Sequence, residues 1–161
     1  MYSLATELST EACKNDLSLE NPVATQAYNG LVAYDTLYAA SCLTSSTTGN
    51  YCYAEAVSNS SAPTSSYVYY LPLGMSLPGG ARPACTECLK DTMSVFAAAA
   101  DNRQSGFRNN YAQAAQVVDL TCGPGFVEAG VASSGAAKLS QGSGLLIGLT
   151  AMAAILINAF I

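Results

Sequence analysis

Two cysteines three residues apart, Cys85-Thr86-Glu87-Cys88, are the tightest grouping of reactive side chains in the chain. A CxxC can run thiol–disulfide exchange when one thiolate is stabilised, most often in a strand–helix–strand setting. No such pattern surrounds this one. A structural zinc site would need a second close pair, and Cys42 and Cys52 lie too far apart for that. The chain has no histidine. This removes Ser-His-Asp and Cys-His catalysis, imidazole metal ligation and a charge switch near neutral pH. The remaining acid–base equipment is paired carboxylates, Glu7 with Glu11 and Glu87 with Asp91, each at i, i+4. On a helix such pairs are neighbours, but Lys90 beside Glu87 reads as an ordinary solvated face. No catalytic residue, metal or cofactor is assigned, and the chain is read as a non-enzyme. A carboxylate-dependent secreted hydrolase and a CxxC thiol–disulfide protein are the weaker alternatives.

The sulfur chemistry that fits better is structural. Six cysteines, Cys13, Cys42, Cys52, Cys85, Cys88 and Cys122, are an even set in 161 residues, as in a disulfide framework of an oxidising compartment. Cys42 and Cys52 flank the turn-rich LTSSTTGNY, which predicts a locally closed loop and a Cys42–Cys52 bridge. Cys88 and Cys122 lie equally far on either side of Ser105, the middle of an expected helical hairpin. Height therefore favours Cys88–Cys122 and leaves Cys13–Cys85, although exchanging Cys85 for Cys88 serves nearly as well. Asn59-Ser60-Ser61 is an N-glycosylation sequon, with Asn59 the acceptor if the chain is secreted.

The elements that must carry these residues are mostly helical. Asn21-Pro22 is a helix start, with Asn as cap and Pro in the first turn. Val23, Ala27, Leu31, Tyr34 and Tyr38 follow at helical spacing up to Cys42. Leu4, Leu8 and Ala12 suggest a shorter helix ending near Cys13. Cys85, Cys88, Leu89, Thr92, Met93, Phe96 and Ala100 mark one face of a helix. Tyr111, Ala114, Ala115, Val118 and Cys122 mark its antiparallel partner. Between the long helices lies a Tyr-, Pro- and Gly-rich stretch, Tyr67 to Gly80, whose prolines and glycines predict an extended or polyproline-like loop. Its tyrosines are read chiefly as a cover for the core, and secondarily as stacking faces for sugar rings.

Residues 145–161, LLIGLTAMAAILINAFI, carry no charge and are at the short limit for a spanning helix. A polar spacer, AKLSQGSG, precedes them, and the small residues Ser133-Ser134-Gly135-Ala136 come before that. Small residues, a spacer and a terminal apolar tail form the signal for a glycosylphosphatidylinositol (GPI) lipid. Ser134, then Ser133, is the expected attachment residue. A tail-anchored or single-pass membrane protein is the alternative. The first residues show no signal-peptide pattern, so the expectation is of an N-terminus shortened relative to the full protein.

The fold class expected is therefore mainly α: a small disulfide-stapled helical domain with a Tyr/Pro/Gly-rich extended loop and a hydrophobic C-terminal tail helix. Residues 1–127 would be the ectodomain, 128–144 the linker with the attachment region, and 145–161 the tail. The net charge of −5 and 11% charged residues argue against nucleic acid as a partner. The partners expected are the membrane, through the lipid or the tail, and a cell-wall polysaccharide. The location expected is the outer face of the plasma membrane or the cell wall.

The segments NPVATQAYNGLVAYDTLYAASC, TGNYCYAEAVSN, YYLPLG, LPGGARPACTECLKDTMSVF and CGPGFV resemble an uncharacterised family of fungal secreted proteins. Its members are cysteine-rich, share a domain of unknown function and carry a GPI-type tail. The likeness runs from about Leu8 to Val127, with the spacing of Cys42, Cys52, Cys85, Cys88 and Cys122 its most specific part. The resemblance implies a surface or wall location and no known activity.

Overall fold

A computed structural model describes residues 1–101 and 107–128. Six α-helices are found there: α1 (Tyr2–Glu7), α2 (Lys14–Ser18), α3 (Pro22–Ser41), α4 (Cys52–Ser58), α5 (Glu87–Asp101) and α6 (Arg108–Cys122). A π-helical stretch, Leu8–Ala12, joins α1 to α2, and a 3-10 helix, Pro63–Leu73, follows α4. Among the described residues the β pairing consists of one antiparallel bridge, Thr44 with Tyr51. The domain is thus mainly helical and carries two disulfides.

The start of α3 follows from its cap. The Asn21 side-chain oxygen accepts from Val23 N at 3.0 Å and Ala24 N at 3.5 Å, and Pro22 occupies a first-turn position that needs no N–H donor. Asn21 Nδ2 donates to Asp16 Oδ1 at 3.2 Å, tying the cap back to α2.

The hairpin of α5 and α6 forms as its periodicity predicts. Cys88, Leu89, Thr92, Met93, Phe96 and Ala100 are buried on α5, and Tyr111, Ala114, Ala115 and Val118 on α6. Ala114 and Ala115 of α6 share one buried cluster with Phe96 and Tyr111. Gly123, at φ +107°, ends α6 in a conformation that a side chain resists. Asp119 then folds the chain back. Its Oδ2 accepts from Gly125 N at 3.2 Å and its Oδ1 from Val127 N at 3.0 Å, which seats Val127 in the core.

The Tyr- and Pro-rich stretch departs from the expected extended loop. Residues Pro63–Leu73 are a 3-10 helix, and only the part after Gly74 lacks regular structure. Both prolines fit. Pro63 opens the helix, where its missing N–H is not required, and Pro72 stands in the last turn. A 3-10 run of this length is unusual, and tertiary packing supports it. Val68, Tyr69, Leu71 and Pro72 are buried in the core. Thr64 Oγ1 accepts from Arg82 N at 2.9 Å, and Ser65 Oγ accepts from Ala84 N at 3.0 Å, stitching the helix to the irregular segment before α5. Tyr69 meets Tyr53 and Phe96 edge-on, at 4.9 and 6.2 Å between ring centroids. Tyr69 thus covers the core, while Tyr67 and Tyr70 remain exposed.

Candidate functional site: a doubly stapled helix start

The CxxC straddles the beginning of α5. Thr86, between its cysteines, is the N-cap: Thr86 Oγ1 accepts from Leu89 N at 3.2 Å. Cys85 therefore lies in the irregular segment outside the helix, and Cys88 in its first turn. A Thr one residue before the helix is a cap signal in its own right, independent of the two sulfurs.

The cap decides the pairing. Cys88 lies on the buried face of α5 and bonds Cys52, the first residue of α4, with Cα atoms 5.3 Å apart. Cys85 bonds Cys122, the last residue of α6, with Cα atoms 5.4 Å apart. Cys42–Cys52 is not formed. The hairpin register puts Leu43, not Cys42, opposite Cys52, whose N–H donates to Leu43 O at 2.8 Å. Cys42 caps α3 and is exposed. Cys88–Cys122 is replaced by Cys85–Cys122, the exchange that height along the hairpin left open. The direction in which each sulfur leaves the backbone separates the two. Cys13–Cys85 is also not formed: Cys13 precedes α2, beside α3, and is half-buried and unpaired.

The start of α5 is thus pinned to the start of α4 and the end of α6. The two cysteines of the CxxC serve different bridges, so neither is held as a thiol for exchange with the other. Carboxylates tie the Ser/Thr-rich turn to the same corner. Ser46 Oγ donates to Glu87 Oε2, and Thr48 Oγ1 donates to Glu55 Oε1. Glu87, one of the paired carboxylates, is therefore engaged with a loop hydroxyl, and Asp91 stands exposed one turn on. Glu7 and Glu11 are likewise exposed, Glu11 within the π-helical stretch.

Behind the Cys52–Cys88 bridge is a cavity of about 70 Å³, bordered by Glu55, Asn59, Ser65, Tyr69 and Thr92. It is far below the several hundred cubic ångströms of a ligand pocket. Tyr69 Oη and Thr92 Oγ1 hydrogen-bond across it at 3.0 Å, and burial pushes the Tyr69 phenol up from its ordinary pKa. Tyr111, fully buried, donates its hydroxyl to Glu128 O. Burial first, and then the negative charges of Glu128, Asp119 and Asp101, raise its pKa to about 12. Both phenols serve the packing.

Asn59 stands at the C-terminal end of α4, half-buried. Its Oδ1 accepts from Ser61 N and Ala62 N, each at 3.0 Å, so the sequon is wound into an Asx turn. Among the described residues no group of three or more potential ligands gathers to hold a metal ion. No helix there is long and apolar enough to cross a membrane. Ser133, Ser134 and the tail 145–161 lie outside the described residues.

These features define a disulfide-stapled α-helical domain, and bridges of this kind point to an extracellular or secreted protein. A family model for a domain of unknown function, DUF7729, matches residues 1–131, and the chain belongs to that family. Comparison with curated proteins and with solved structures gives no match.

Proposed function

We propose that this chain is a cell-surface module of structural or interaction type. A GPI lipid on Ser134 or Ser133 would hold it at the outer face of the plasma membrane, or hand it on to the cell wall. The observation that carries this reading is the double staple. Both cysteines of the CxxC are spent on bridges that lock three helices together, a use of sulfur suited to an exposed, oxidising location rather than to turnover. The terminal pattern of small residues, polar spacer and uncharged tail supplies the lipid signal. Asn59, in a surface turn, supplies a glycan acceptor.

The experiment is release by phosphatidylinositol-specific phospholipase C from intact cells. Appearance of the protein in the supernatant supports the lipid anchor. Retention on the membrane with the segment 145–161 still attached assigns a tail anchor instead. The second partner in this reading is a wall polysaccharide, to which the exposed rings of Tyr67 and Tyr70 offer flat faces. Co-sedimentation with insoluble wall glucan that is unchanged in Tyr67→Ala/Tyr70→Ala removes that role.

A further inference from the structure

The longest helix of the domain turns an apolar face to solvent. Val23, Ala27, Leu31, Tyr34, Tyr38 and Cys42 recur at intervals of four, four, three, four and four, a stripe covering about 100° of the helix. The core-facing side of α3 is a different one, carried by Ala33, Leu37 and Ala40. On the outward stripe Val23 is 75% exposed, Tyr34 46% and Tyr38 63%. The rings of Tyr34 and Tyr38 lie nearly parallel, 14° apart in plane with centroids at 6.3 Å. Solvated helix faces normally carry charge, yet the whole of α3 holds a single charged residue, Asp35.

We propose that two copies of this chain pair through this face, with their α3 helices antiparallel. The stripe is symmetric about its own middle. Turned end for end it sets Tyr38 against Ala27 of the second copy, Tyr34 against Leu31, and Cys42 against Val23. Each large ring meets a smaller side chain, which is the self-complementarity an isologous two-fold interface requires. A parallel pairing would instead stack Tyr38 on Tyr38 and bring the two Asp35 carboxylates level. Shape selects the partner, and charge limits the strength of the pairing. The chain is acidic overall, at −5, so two copies repel elsewhere and least along α3. An anionic lipid surface finds no Lys or Arg on that helix to attract it. A face ~30 Å long and ~10 Å wide buries roughly 600–1,000 Å² over both copies, the size of weak, reversible association.

The test uses the full chain in a mild non-ionic detergent, with Cys13→Ser to remove the other unpaired thiol. Sedimentation at increasing concentration should show a monomer–dimer equilibrium that Tyr34→Glu/Tyr38→Glu abolishes without changing the far-UV circular dichroism. Val23→Cys should then cross-link to Cys42 of the second copy under copper-phenanthroline, which takes up the two electrons as the two thiols lose their protons. Cys42 alone, ~30 Å from its symmetry mate, should not cross-link. A monomer up to about 1 mM, a dimer that survives the double glutamate substitution, or a Cys42–Cys42 cross-link would each overturn the proposal.

Discussion

Replacing Cys85 and Cys122 together by alanine isolates the outer staple. The bridge spans 37 residues, and opening a loop of that size returns about 3.8 kcal/mol of conformational freedom to the unfolded chain at 25 °C on the chain-entropy model. Cys85 is exposed and Cys122 only half-buried, so little packing is lost with the sulfurs. For a folded domain of about 125 residues this lowers Tm by about 15 °C. The inner bridge spans 36 residues and carries nearly the same entropic effect. Cys52 and Cys88 are 1% and 8% exposed, so their removal adds roughly 1 kcal/mol for the lost packing. The two bridges meet at the start of α5, three residues apart, so their effects couple rather than simply add. Urea and thermal unfolding followed by circular dichroism read these differences. Cys13→Ala and Cys42→Ala are the controls and should each change stability by less than about 0.5 kcal/mol. Loss of under about 1 kcal/mol on removing either bridge, or a Cys42→Ala effect as large as that of the Cys52/Cys88 pair, would refute the reasoning.

Three further outcomes are expected. Asn21→Ala removes both cap hydrogen bonds of α3 and should cost about 1 kcal/mol in urea unfolding, with Asn21→Ser restoring most of it. Tyr111 keeps its proton more tightly when folded. Its stabilising contribution is therefore complete below the ordinary tyrosine pKa of 10.0, and is lost as pH rises from there to about 12. Ultraviolet titration at alkaline pH should show a late-ionising phenol that Tyr111→Phe removes. In a secretory host, Asn59→Gln should abolish the mass lost on treatment with an N-glycosidase, with no change in the disulfide map.

Much of the fold was legible because the signals were local. Asn21-Pro22 marked the start of α3, and the apolar spacing of Cys88 to Ala100 and of Tyr111 to Val118 marked the hairpin. The cysteine pairing was less legible, since distance along the chain fixes height and not direction. The Thr86 cap holds Cys85 outside α5 and turns Cys88 inward, and the Leu43–Cys52 register turns Cys42 away from the loop it closes. The 3-10 helix was hidden because Pro63 and Pro72 forbid α-helix only in its interior, while the burial of Val68, Tyr69 and Leu71 comes from contacts distant in sequence. The helical spacing of the α3 stripe was visible, but spacing alone does not tell which apolar face meets the core.

Mass spectrometry of the protein purified from whole membranes, digested without reduction, bears most directly on the surface-module reading. It should find Cys52 joined to Cys88 and Cys85 to Cys122, with a glycolipid remnant on a C-terminal Ser134 or Ser133. A chain that ends at Ile161 with no lipid, or whose six cysteines are all reduced, would contradict it.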